Sequence, residues 1–97
     1  MDKKLYLVNL YDYYGVLLTE KQQQYFENYY FDDLSLGEIA ENDNVSRNAV
    51  HGQLKNVEER LQFYEKSLHL YENRGKVLNL LSQISEKEIA KEIEQYI

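Results

Sequence analysis

The chain has 97 residues, which is room for one domain and too little for a two-domain enzyme. Hydrophobic residues make up 43% and charged residues 29%, with 17 Asp and Glu against 11 Lys and Arg, so a core is available inside a surface of net charge −6. That sign excludes attachment to DNA, RNA or anionic membrane by bulk charge, and the lack of cysteine excludes disulfides, thiolate-held zinc and a thiol nucleophile.

With no proline, and glycine only at 15, 37, 52 and 75, the chain reads as all-α. Glu, Lys, Leu and Gln dominate and favour helix. A first helix is predicted from Lys3 to Tyr14, with Leu7, Leu10, Tyr11 and Tyr14 on one face and Gly15 as a left-handed stop. Thr19-Glu20-Lys21-Gln22 has the form of a capping box and opens a second helix, roughly 20 to 31. Ser35-Leu36-Gly37-Glu38 is another such box, opening a short helix from about 36 to 42, after which Asn44 tolerates the left-handed conformation. Ser46 caps a fourth helix, and nothing local breaks it before about Asn73. Gly75 is the next expected interruption. Val77, Leu78, Leu80, Leu81 and Ile84 form an apolar segment, and Ser85-Glu86-Lys87-Glu88 predicts a last helix to about Tyr96. The expected organisation is a single all-α domain over 1–97, with the N-terminal helices and helix-turn-helix in 1–60 and a helical extension over 57–97.

Tyrosine is the compositional oddity, at 10 of 97 residues. Tyr25, Phe26, Tyr29, Tyr30 and Phe31 cluster at helical spacing beside Glu27, Asp32 and Asp33. That pattern reads as tyrosine thickening a small core; the acidic neighbours argue against a platform for stacking bases. The longest apolar runs are a few residues, so no membrane insertion is expected, and Asn9 and Asp12 interrupt anything like a signal-peptide core. A cytoplasmic protein is the default expectation.

Residues 36 to 55 fit a helix-turn-helix. Ala40 supplies the small residue where two steeply crossed helices touch, and Asn44 supplies the positive φ of the turn. Ile39, Val45, Val50 and Leu54 are expected to face inward. Ser46 caps the second helix of the pair, leaving Arg47, Asn48, His51, Gly52 and Lys55 on its outer face. A face of this kind reads bases by entering a major groove N-terminus first; Arg47 suits guanine and Asn48 suits adenine. From Asn44 to Val57 there is no acidic residue, a local absence that stands out in so acidic a chain. The plainer alternative is a helical pair that is purely structural. Asp43 stands where a hydrophobic residue is usual, which predicts looser packing at the turn.

Leu54, Val57, Leu61, Tyr64, Leu68 and Tyr71 are spaced 3, 4, 3, 4, 3, a heptad seam. In a parallel homodimer Arg60 and Glu65 would pair across it. The same stripe can instead bury the other helices of its own chain. The expected length, about 27 residues or roughly 40 Å, favours a partner. No Gly-rich phosphate loop, His-Glu-x-x-His pair or Ser-His-Asp arrangement is present, so neither enzyme activity nor a cofactor is expected, and His51 reads as an exposed polar residue rather than a metal ligand.

Leu17-Leu18-Thr19-Glu20-Lys21-Gln22, Tyr29-Tyr30, Asp33 through Glu41, Val45-Ser46-Arg47-Asn48-Ala49-Val50 and Tyr64 through Tyr71 together resemble the YlxM-like family. These are small bacterial helix-turn-helix proteins similar to the promoter-reading region of sigma factors. The resemblance spans about residues 5 to 73. It implies a sigma region 4-like core of the winged-helix-like superfamily with a C-terminal helical extension, a nucleic-acid-binding motif and a regulatory role. It also implies association with components of the signal recognition particle pathway. Carried over by position, Ser46, Arg47, Asn48, His51 and Lys55 form the recognition face. This chain departs from the family pattern at Asp43-Asn44, at His51-Gly52 and at Asn56, the last in place of a basic residue that would contact phosphate. The expected partner is DNA or RNA bound by a homodimer; the alternative is a protein-interaction module that docks on signal recognition particle components without binding DNA.

Overall fold

A computed structural model describes residues 2–97. Six α-helices follow in order: α1 Lys3–Tyr14, α2 Glu20–Tyr30, α3 Leu36–Asp43, α4 Arg47–Leu68, α5 Leu70–Leu81 and α6 Lys87–Glu94. There is no strand among the described residues, so the all-α expectation holds.

The N-terminal caps form as their residues dictate. Asp2 accepts from the Lys4 amide at 3.1 Å and starts α1. Thr19 and Gln22 close both hydrogen bonds of the box at α2, and Ser35 with Glu38 does so at α3, each satisfying amides that a helix start leaves without partners. The Ser35 amide and hydroxyl that hold the Glu38 carboxylate also keep its pKa below the ordinary value.

Two buried clusters hold these helices. Leu7, Leu10, Tyr11 and Tyr14 of α1 pack with Leu18, with Phe26 of α2 and with Val57 and Leu61 of α4. Tyr25, Ile39, Ala40, Val50 and Leu54 form the second, beneath the α3–α4 crossing. Tyr11 stacks on Phe26 at 4.3 Å between centroids, so the tyrosine surplus does thicken the core. Its hydroxyls end on carboxylates: Tyr11 donates to Glu27 at 2.5 Å, Tyr14 to Glu65 at 2.6 Å and Tyr30 to Glu58 at 2.7 Å. Burial first, and then the neighbouring carboxylate, pushes all three phenols upward, Tyr14 to about 12.

Several expectations need correction. Gly15 is not a left-handed stop. Its φ is −56°, and it begins a 3-10 turn, Gly15–Leu17. Glycine is needed there for space, because a Cβ would lie 2.9 Å from the Tyr11 ring. Gly75 interrupts nothing and sits inside α5. The last helix starts two residues later than Ser85, at Lys87, with Glu86 as a cap residue that makes no side-chain bond, and it ends at Glu94.

The largest correction concerns α4, which ends at Leu68. His69 takes φ 56° and ψ 28°, and the chain turns there into α5. The cause is tertiary. Glu65, only 6% exposed, accepts from the Tyr71 amide at 3.1 Å and the Glu72 amide at 3.0 Å, and also from the Tyr14 hydroxyl. The Tyr14 hydroxyl oxygen in turn accepts from the Leu70 amide at 3.0 Å. One carboxylate and one phenol thus satisfy the first amides of α5, a task that a local serine or aspartate would otherwise perform. Glu65 is therefore not free to pair with Arg60 of another copy. Leu54, Val57 and Leu61 of the seam are spent inside the chain, whereas Leu68 is left 50% exposed.

α5 and α6 extend from this body as an arm, in a molecule measuring 56 × 24 × 23 Å. No described helix is long and apolar enough to cross a membrane.

Candidate nucleic-acid interface

α3 and α4 form the helix-turn-helix. Ile39 and Ala40 meet Val50 and Leu54 with Tyr25 of α2 behind them, and no side chain larger than alanine stands at position 40 of the crossing. Asn44 takes φ 57° and ψ 44°, as expected of the turn residue, and the Val45 amide donates to the Ala40 carbonyl at 3.0 Å. Val45 does not face inward as its hydrophobicity predicts. At this position beyond the left-handed residue its side chain is 41% exposed, and the crossing is closed by Leu34 and Leu36 instead.

Asp43 does not loosen the turn. Its carboxylate pairs with Lys21 of α2 at 2.7 Å and bonds with Tyr25, and both hold its pKa below the ordinary range, the lysine chiefly. An ion pair to α2 stands in for the apolar contact that is usual there.

Ser46 accepts from the Ala49 amide at 3.1 Å and so starts α4 facing outward. Ser46, Arg47, Asn48, His51 and Lys55 are all exposed, and all lie along the first two and a half turns of α4. Ser46, Arg47, Asn48 and His51 line a shallow concavity of about 540 Å³ with Leu36 at its edge. The stem of Arg47 runs beside Gly37, where a Cβ would stand 4.0 Å from its Cδ, so the guanidinium side chain lies over the start of α3. Gly52 has open space around it, with no atom within 4 Å of a built Cβ.

Sequence reasoning missed two residues. A second groove, also about 540 Å³, shares Leu36 and His51 with the first; Lys3, Lys4 and Lys55 line it together with Tyr29 and Glu58. The fold thus brings the start of α1 against the middle of α4 and extends the cationic face by two lysines. Lys3 pairs with Glu58 and Lys4 with Asp33, each at 3.6 Å and with the lysines exposed, so both pairs are weak and exchangeable. The only signal was the doublet Lys3-Lys4 in an acidic chain, and its position next to α4 is set by packing some fifty residues away.

The described residues bring one potential metal-ligand set together. Glu65, His69 and Glu72 place three ligand atoms within 4.8 Å of one another. Those groups are already engaged. Glu65 accepts three hydrogen bonds, and Glu72 binds Lys76 at 3.1 Å and His69 at 3.2 Å, which lowers its pKa, the lysine contributing most. The set serves the bend between α4 and α5.

Comparison with known proteins adds a family. The model of the family described as "Putative helix-turn-helix protein, YlxM / p13 like" matches residues 1–97. A UPF0122 protein of Thermoanaerobacter sp. is 43% identical over 95 residues, 97% of this chain and 81% of the relative. One from Halalkalibacterium halodurans is 44% identical over 95 residues, covering 95% and 87%. One from Oceanobacillus iheyensis is 40% identical over 97 residues, covering 100% and 92%.

Proposed function

The chain belongs to the YlxM / p13-like helix-turn-helix family, and from that premise we propose that it is a cytoplasmic, non-enzymatic regulator that binds DNA through the outer face of α4 and serves the signal recognition particle pathway. The observation that carries this reading is the first half of α4. Arg47, Asn48, His51 and Lys55 stand exposed on one face, capped by Ser46, in a stretch from 44 to 57 that holds no acidic residue although the chain carries 17. Such a helix presents its N-terminal turns to base edges. Arg47 forks onto guanine and Asn48 onto adenine, while Lys55, Lys3 and Lys4 reach phosphates on the flank. In this reading the protein works as a homodimer, because one short face reads only a few base pairs and a pair of copies doubles the site.

Fluorescence anisotropy against genomic DNA fragments and against total RNA, each at two salt concentrations, tests the reading. Saturable binding that weakens steeply with salt is expected for DNA. In the double variant Arg47→Ala, Lys55→Ala the affinity falls and the salt slope flattens by roughly two phosphate contacts. Unchanged binding in that variant removes α4 as the reading face, and RNA binding without DNA binding changes the polymer.

A second reading is favoured by the net charge of −6. In it the helix-turn-helix is a scaffold, and the acidic, tyrosine-rich surface docks a basic protein of the signal recognition particle. Pull-downs from extract with and without nuclease separate the two: partners that survive nuclease support docking, and partners lost with it support nucleic acid.

A further inference from the structure

The arm is made of helices that its own chain covers on one side only. Over α5 and α6, among the described residues, only Leu81 and Ala90 are buried. Leu80 is 61% exposed, Ile89 53% and Tyr96 81%, and Ile84, Ile93 and Ile97 each keep more than a third of their surface open. These residues are ordered by helical spacing. On α5 and just beyond it, Leu70, Val77, Leu80 and Ile84 follow at intervals of 7, 3 and 4. They occupy the side opposite Tyr71, Gly75 and Leu78, which border α1 at the groove beside Asn9 and Tyr13. On α6, Ile89 and Ile93 stand one turn apart, and Ile97 follows beyond its end. Isolated helices of 12 and 8 residues have no stability of their own in water.

We propose that this arm is the homodimer interface: a second copy of the chain packs its α5 and α6 on the exposed seam of the first, making a four-helix contact at the end of the molecule far from the recognition face. The charge distribution selects a second copy. Residues 70–97 carry five acids and four bases, a balance of −1, whereas residues 1–69 carry twelve acids and seven bases, a balance of −5. Two such strongly acidic bodies repel, and the nearly neutral arm is where two copies approach at least electrostatic cost. The same near-neutrality gives the arm no attraction for nucleic acid or anionic lipid. The area is sufficient: the exposed apolar side chains leave on the order of 600 Å² per copy, so a symmetric pair covers about 1,200 Å², the lower end of stable interfaces. The contact is self-complementary, as a two-fold pair requires. The α4 seam does not compete, because Leu54, Val57 and Leu61 are already buried within the chain.

This deepens the pairing proposed above, and it is tested without nucleic acid, so a failure of DNA binding leaves it standing. Sedimentation velocity of the full chain is expected to show a dimer at tens of micromolar. Leu80→Ser with Ile93→Ser weakens that dimer by roughly 30-fold or more, whereas Phe63→Ser with Leu68→Ser on α4 leaves it intact. Because the chain has no cysteine, Ile89→Cys and Ile93→Cys place single thiols on the arm. A bifunctional maleimide then joins the copies, and fails to do so with Glu41→Cys on the body. The crosslinks decide the matter even where the double serine variant loses helix. A monomeric wild-type chain at about 100 µM, a dimer broken by the α4 variants alone, or crosslinking no better from the arm than from Glu41→Cys each overturns the proposal.

Discussion

Residues 3–68 and the arm are both helical and both contain apolar residues at regular spacing, yet they are held quite differently. Thirteen buried apolar side chains lie between Leu7 and Leu61, among the described residues, and two lie in the arm, Leu81 and Ala90. The body's helices start at side-chain caps, three with serine or threonine and one with Asp2; α5 starts at a carboxylate from another helix and α6 at no side chain. Helical periodicity therefore says that a face will be buried, and only packing says by whom. In the body the partner is the same chain. In the arm the face stays open to solvent.

Substitutions can sharpen this contrast. The largest expected effect is Phe26→Ala, which empties a fully buried site stacked between Tyr11 and Tyr30 and costs about 4 kcal/mol, seen as a loss of cooperative thermal unfolding near ambient temperature. Glu65→Ala comes next, at about 3 kcal/mol, since it strands the Tyr14 hydroxyl and two amides of α5. Hydrogen exchange should then rise across residues 69–81 before it rises in α2 or α3. Leu81→Ala is expected to speed exchange in α6 and leave the melting of the body within about 1 °C, because no core residue of the body rests on it.

The glycines give smaller effects of opposite sign. Gly75→Ala stabilises α5 by about 1 kcal/mol, since the residue is helical and nothing stands within 4 Å of the added carbon. Gly15→Ala, in equally helical geometry, destabilises by about 1–2 kcal/mol against the Tyr11 ring. Far-UV circular dichroism melts of the two variants should move in opposite directions.

The alkaline limb of stability separates the regions as well. Tyr11, Tyr14 and Tyr30 of the body have raised pKa values, Tyr14 to about 12. An unfolded tyrosine ionises near 10. Above that the unfolded state loses protons that the folded state keeps, so the stability these phenols contribute is whole below pH 10 and is lost as pH rises toward 12. Tyr14→Phe should flatten that limb in urea titrations. If Tyr14→Phe leaves the limb as steep as before, the Tyr14–Glu65 bond is not what links body stability to pH.

Much of this was legible in the residues. The boxes at Thr19 and Ser35, the cap at Ser46 and the left-handed Asn44 are local devices, decided within four residues, and the structure has each of them. The outward placement of Arg47, Asn48, His51 and Lys55 followed from the same local logic. What was not legible is long-range. Lys3 and Lys4 join α4 because α1 packs there, Asp43 works because Lys21 stands across from it, and Gly15 is glycine because the Tyr11 ring leans over it. The turn at His69 is the clearest case: helix-forming residues surround it, and its cause lies in Tyr14, 51 residues before Glu65.

That turn also governs reach. Residues 66–72 contain neither proline nor glycine, so the break between α4 and α5 rests on tertiary contacts, and no local residue would stop an unbroken helix. The continuous helix from Arg47 to Leu81 would then be 35 residues and about 52 Å long, carrying the seam of α5 out along the axis of the recognition helix. Where two copies pair through the arm as proposed, the distance between their α4 helices is set by this break, held by one hydrogen-bonded carboxylate.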